Sequence, residues 1–224
     1  MLLAEAPLGG IKPVLKTLSY LMAKAIMYPV LRLYFRVAVS GRERMPRKGG
    51  FLLAANHFSF SDPVILGTML PRRLWFVMAE DQFRKPWLRG FSRLMDVIPV
   101  RAGAAFRLGP IRKCLTVLKR GHVVAIFPEG RRSSTGTLLP AMPGVGVLAA
   151  RAGVPVIPVA IAGTREAYPI GRRFPRPGKV SLFVGEALSD LEGLSPDAVA
   201  QKAMDAIGAL LVQNGYDDYV VSEG

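Results

Sequence analysis

Two short stretches of the chain hold the residue types that proton transfer and anion binding require. The first, NHFSFSDP (Asn56 to Pro63), directly follows the apolar run from Phe51 to Ala55. Histidine titrates near neutral pH, and a carboxylate beside it can fix its tautomer and stabilise the imidazolium. On one continuous helix His57 and Asp62 would be turned about 500° apart and would not share a face. Pro63, however, pushes the residue before it away from helical angles and itself favours a first helical position. The expected geometry is His57 at a strand end, Asp62 at a helix start, and a tight loop that can fold the two together. His57 can then act as a general base on a substrate hydroxyl, with no protein nucleophile needed. The alternative is that Asp62 merely caps a helix and His57 lies exposed.

The second stretch, FPEGRRSSTG (Phe127 to Gly136), again follows an apolar run. The planar forks of Arg131 and Arg132 suit phosphate oxygens, and N–H groups of the Gly130 and Ser133 turn can add donors. Glu129 can orient an arginine or a substrate hydroxyl. A solvated basic turn is the alternative here.

These stretches need a scaffold, and the chain has enough residues to build one. Its 224 residues fit a single α/β domain with a sizeable core, and half are hydrophobic. Lys plus Arg number 30 against 16 acidic residues, a net charge of +14, which predicts an anionic partner. No DNA- or RNA-binding motif is present, so a membrane surface or phosphorylated substrate is expected rather than nucleic acid. Cys114, the single cysteine, excludes an internal disulfide and reads as a packing residue. The two histidines and one cysteine are too scattered for a zinc site, and His122 reads as a surface residue.

Continuous apolar runs predict strands at Phe51 to Ala55, Leu74 to Ala79, Asp96 to Val100, Val123 to Phe127, Val154 to Ala162 and Val180 to Val184. Pro155 and Pro158 mark the fifth of these as an edge or bulged strand. Helices are expected from Pro63 to Leu70, Lys85 to Leu94, Phe106 to Arg120 and Gly144 to Ala152. A last helix is capped by Ser195, opened by Pro196 and ended at Gly215. Strands apolar on both faces alternating with helices specify an α/β fold, a mostly parallel sheet flanked by helices. Ligands bind such sheets beyond the carboxyl ends of the strands, where both polar stretches fall.

From Ile11 to Val39 the chain is apolar but interrupted by Lys12, Lys16, Lys24, Arg32 and Arg36, and Pro29 is expected to break it. No uncharged run reaches the ~18 to 20 residues of a spanning helix, and no secretory leader is expected. Interleaved tyrosines and basic residues suit amphipathic helices lying in a headgroup region, with cations toward lipid phosphates. Two ordinary packed helices are the alternative. The division read here is 1–40 as membrane-associating helices and 41–224 as the catalytic domain.

In combination the motifs resemble those of the glycerolipid acyltransferases of the 1-acyl-glycerol-3-phosphate acyltransferase family. Asn56, His57 and Asp62 match its Asn-His-four residues-Asp motif. Phe127, Pro128, Glu129, Gly130, Arg132 and Ser133 match its Phe-Pro-Glu-Gly-Thr-Arg-Ser motif, and Val154 to Val159 its apolar motif. Arg131 stands where the family usually has threonine. Arg101 lies one place before the family's arginine, with Arg107 as the alternative, and Glu80-Asp81-Gln82 replaces a lysine-rich stretch. The resemblance implies an enzyme that transfers a fatty acyl group from an acyl thioester to the hydroxyl of 1-acyl-glycerol-3-phosphate, making phosphatidic acid. It implies His57 and Asp62 as the catalytic pair, and Glu129, Gly130, Arg131, Arg132, Ser133 and Arg101 as substrate-binding residues. No metal or cofactor is implied, since acyl-CoA or acyl carrier protein is a substrate. Implied partners are the lysophospholipid, the donor and an anionic membrane surface, and the implied location is the cytoplasmic face of a membrane. The competing readings are another acceptor, such as a lyso-ornithine lipid or glycolipid, and a non-catalytic basic module that binds membrane or nucleic acid.

Overall fold

The computed structural model describes residues 13–80, 90, 95–100, 108–188 and 190–220. Seven strands form one sheet: β1 (Ala38–Ser40), β2 (Phe51–Ala55), β3 (Leu74–Ala79), β4 (Asp96–Val100), β5 (Val123–Ile126), β6 (Val156–Ala162) and β7 (Ser181–Val184), in the order β1-β7-β6-β2-β5-β3-β4. The five strands from β6 to β4 are parallel. β7 runs antiparallel to β6, and β1 is parallel to β7. The helices are α1 (Pro13–Tyr34), α2 (Asp62–Met69), α3 (Leu108–Lys119), α4 (Gly144–Ala152), the short α5 (Thr164–Ala167) and α6 (Pro196–Gln213).

The two-residue period of a strand divides the core between the two faces of the sheet. Phe51, Leu53 and Ala55 of β2 pack with Ile157, Val159 and Ile161 of β6 and with Ile65, Leu66 and Met69 of α2. Leu52 and Ala54 face the other way, into α3, α4 and α6 through Cys114, Val145, Leu148 and Ile207. β2 is buried along its whole length, which is why its sequence shows no polar alternation. Cys114 is a packing residue as read, and burial pushes its thiol up to about 12. Where α4 meets the start of α6, Gly146 is required: a Cβ there would lie 2.0 Å from the carbonyl oxygen of Pro196.

Four local expectations change. β6 is an interior strand between β7 and β2, not an edge. Its prolines are tolerated because Pro155 precedes it, giving only its carbonyl to Leu52 N–H at 3.0 Å. Pro158 in turn faces the point where β7 has ended, and accepts from Gly185 N–H at 2.9 Å. Second, Ala38–Ser40, assigned from sequence to the N-terminal segment, completes the sheet as β1. Third, α1 continues through Pro29; Pro29 and Ala25 lie on its exposed side, where solvent can meet the carbonyl that proline leaves unbonded. Fourth, the cations of α1 turn toward the protein. Lys16 Nζ pairs with Asp96 Oδ1 at 2.6 Å, Lys24 Nζ donates to the Leu70 carbonyl at 2.6 Å and Arg32 to that of Val37 at 2.7 Å. The side left facing outward is apolar, with Leu15, Leu18, Met22, Ile26 and Leu33 exposed. The helix expected from Lys85 to Leu94 falls almost wholly outside the described residues.

Candidate active site

β2 lies between β5 and β6, so the loops leaving the carboxyl ends of these three parallel strands meet at the centre of one sheet edge. Asn56 prolongs the β2–β6 ladder with its side chain: Nδ2 donates to the Ile161 carbonyl at 2.8 Å and Oδ1 accepts from Ile161 N–H at 2.7 Å. His57 follows immediately, and its backbone is held by the second loop. Its N–H donates to Glu129 Oε1 at 2.7 Å, and its carbonyl accepts from Ser133 N–H at 2.9 Å.

Beyond His57 the chain turns back on itself, and α2 begins at Asp62 itself, with Pro63 in its first turn. Asp62 is fully buried. Its Oδ2 lies 2.8 Å from His57 Nδ1 and also accepts from the N–H groups of Phe58 at 2.8 Å and Ser59 at 2.7 Å. An ionised carboxylate oxygen with three such neighbours only accepts, so Nδ1 is the donor of this pair, and in the neutral imidazole the lone pair then lies on Nε2. The imidazole stacks on Phe127, with centroids 4.0 Å apart and planes at 16°. The exposed-surface alternative for His57 is excluded, since its side chain is only 17% exposed.

The second loop is shaped around this pair. Glu129 is buried and its two oxygens accept from different segments, His57 N–H and Leu139 N–H. Burial pushes its carboxyl up to about 7, with Asp62 adding to the rise and the two N–H donors opposing it. Gly130 turns the chain at φ 67°, where a Cβ would strike Met142 Sδ at 2.2 Å. Arg131 is exposed. The guanidinium of Arg132 lies over the Phe60 ring at 3.4 Å from its centroid, a stack of about 0.5–2 kcal/mol that fixes its plane. Its Nη1 is buried without a hydrogen-bond partner. Desolvation lowers the pKa of Arg132, while the charges of Asp62 and Tyr168 act against that shift. Ser133 is buried, its Oγ spent on Thr135 Oγ1 at 3.0 Å and Gly136 N–H at 3.2 Å.

The structure thus brings His57, Asp62, Glu129 and Arg132 together, uses Gly130 and Ser133 to form the turn, and leaves Arg131 toward solvent. Arg101 and Arg107 lie outside the described residues. Sequence reasoning missed the roles of Phe60, Phe127 and the Asn56 side chain. Two aromatics bordering polar motifs were the available signal, but spacing does not show which ring faces which cation.

What this arrangement can do is remove a proton next to a bound anion, and comparison with known proteins agrees. A family model described as Acyltransferase matches residues 36–162. The 1-acyl-sn-glycerol-3-phosphate acyltransferase of Bacillus subtilis (strain 168) is 29% identical over 162 residues, covering 71% of this chain and 77% of that protein. A chloroplastic enzyme of the same description from Brassica napus is 30% identical over 69% of this chain, which spans only 44% of that relative's length. The crystal structure of the 1-acyl-sn-glycerophosphate acyltransferase of Thermotoga maritima superposes with a TM-score of 0.75 at 25% identity, over 93% of this chain and 85% of that one. With the family model covering more than half its length, this chain belongs to the acyltransferase family.

Proposed function

We propose that the protein transfers a fatty acyl group from an acyl thioester, carried on CoA or acyl carrier protein, to the free hydroxyl of 1-acyl-glycerol-3-phosphate. Nε2 of His57 takes the hydroxyl proton as the oxygen attacks the thioester carbonyl. Asp62 stabilises the imidazolium through Nδ1, and the tetrahedral intermediate collapses by expelling the thiolate, which recovers that proton. Arg132 binds the acceptor's phosphate, with Arg131 and Arg101 as further cationic contacts, and Glu129 holds the backbone of His57.

One observation carries this reading. The 2.8 Å His57–Asp62 contact leaves Nε2 as the free nitrogen, and Arg132, whose charge interacts with Asp62, has a buried Nη1 without a partner that a phosphate oxygen would supply. An uncharged sugar acceptor offers no anionic oxygen for that place. The names of the relatives support the same acceptor.

A lipid acceptor implies a membrane location, and we place the enzyme at the cytoplasmic face, held by α1, with the rest of the chain as catalytic domain. No helix among the described residues is long and apolar enough to cross a membrane, while the outer side of α1 suits interfacial contact.

The test is thiol release from acyl-CoA with 1-acyl-glycerol-3-phosphate, a lyso-ornithine lipid and a glycolipid as acceptors. The phosphate acceptor should be used best, and His57→Ala should lower its rate by ~10² to 10⁴ while the protein stays folded. Near wild-type turnover by His57→Ala, or preference for an uncharged acceptor, would overturn the assignment.

A further inference from the structure

The loop between α5 and β7, residues 169–179, reads PIGRRFPRPGK. It holds four cations and no acid, and Arg172, Arg173, Arg176 and Lys179 are exposed. None of the four has an acidic partner among the described residues. Two apolar side chains stand among them, Ile170 at 43% and Phe174 at 67% exposure. One exposed apolar residue on a protein surface means little. Here, however, the backbone holds the pair outward. Arg172 Nε donates to the Phe174 carbonyl at 3.1 Å, and Arg176 N–H donates to the Ala167 carbonyl at 2.7 Å.

Both ends of the loop are fastened to elements with a role already described. Ser59 Oγ, in the active-site loop, donates to the carbonyl of Tyr168 at 2.8 Å. At the far end Tyr34 Oη donates to the Pro175 carbonyl at 3.0 Å, and Gly178 N–H donates to the Tyr34 carbonyl at 3.3 Å. Tyr34 is the last residue of α1, where Val30 and Leu33 are also exposed. Two elements that each expose apolar side chains are therefore bonded together, and the cations of the loop have no acidic partner among the described residues, Arg173 lying over the Phe174 ring at 5.4 Å.

We infer that residues 169–179 form a second membrane contact beside α1, selective for anionic lipid. Phe174 and Ile170 enter the boundary between headgroups and acyl chains, while Arg172, Arg173 and Arg176 bind lipid phosphates. A bilayer fits better than an acidic carrier protein because exposed apolar side chains stand on both of the elements that Tyr34 joins, the loop and the end of α1. The inference rests on the acceptor being a membrane lipid. It also implies that the loop bonded to Ser59 lies against the surface from which that lipid arrives.

The experiment uses the full chain with Phe174→Cys carrying an environment-sensitive fluorophore; Cys114 is buried, so labelling is confined to the tip. Emission should shift to the blue with phosphatidylglycerol-containing vesicles and less with pure phosphatidylcholine. In a separate variant, Arg172→Ala with Arg173→Ala should weaken partitioning onto anionic vesicles roughly 30-fold at low salt, with the difference shrinking at high salt. Its turnover of a short-chain, monomeric lysolipid should be unchanged. Absence of a spectral shift on vesicle-bound protein, or unaltered partitioning of the double variant, would overturn the inference. So would a loss restricted to the carrier-protein donor, which would assign the loop to that protein. The vesicle measurements need no catalysis, so they fail or succeed separately from the acceptor assignment.

Discussion

Replacing Asn56 by alanine tests whether the site depends on the side-chain ladder that ends β2. Asn56 and Ile161 are both fully buried, and the two hydrogen bonds between them are 2.8 and 2.7 Å. Asn56→Ala leaves both the N–H and the carbonyl of Ile161 without partners and without access to water. Each orphaned group costs about 1–3 kcal/mol, so the variant should lose about 2–6 kcal/mol. That is a large share of the ~5–15 kcal/mol that stabilises an ordinary domain. Urea denaturation followed by tryptophan fluorescence measures it, since Trp75 lies in β3, two strands from the change. Asn56→Asp is the informative companion. Its carboxylate can still accept from Ile161 N–H but sets its other oxygen against the Ile161 carbonyl, and only its protonated form restores both bonds. That variant should therefore recover stability as pH falls. A cost below about 1 kcal/mol for Asn56→Ala would refute the reasoning and show that another group satisfies Ile161.

Two further outcomes follow from the second loop. Phe60→Ala removes the platform under Arg132 and should raise the acceptor KM several-fold while changing donor KM little; equal effects on both would separate Arg132 from the phosphate. Glu129 has a folded pKa of about 7 against an ordinary value of 4.5, so it keeps its proton in the folded chain after the unfolded chain has lost it. Its contribution to stability is full below pH 4.5 and falls by about 3 kcal/mol as pH rises to 7. Glu129→Gln should lack that decline in urea midpoints between pH 4.5 and 7.5, and identical slopes for both proteins would contradict the assignment.

Much of this arrangement was legible in the chain because the physics is local. A proline after Asp62 favours a helix start, and a continuous apolar run as short as Phe51 to Ala55 suits a strand buried on both faces. These two facts made the His57–Asp62 contact possible, while the helix-cap alternative stayed open until the 2.8 Å distance excluded it. The interior place of β6 was not legible, because proline's missing donor matters only where a neighbour needs it, and that depends on where β7 stops. Charge pattern misled in α1 for a similar reason. Lys16, Lys24 and Arg32 look like phosphate ligands until Asp96 and the carbonyls of Leu70 and Val37, distant or unremarkable in sequence, are seen to take them. The stacking of Arg132 on Phe60 was equally invisible, since it joins loops that follow neighbouring strands but lie about seventy residues apart in the chain.

The central position of the catalytic strands also bears on how activity can vary. β2 has a strand on each side, and the residues that follow it are bonded to β6 through Asn56 and to the loop after β5 through His57 and Glu129. Interior strands so placed have opening free energies that approach that of global unfolding, so the β2 amides are expected among the slowest to exchange hydrogen. A base bonded this closely to the end of such a strand is anchored to the most stable part of the domain. Adjusting activity through the supply of lipid leaves that anchored base untouched.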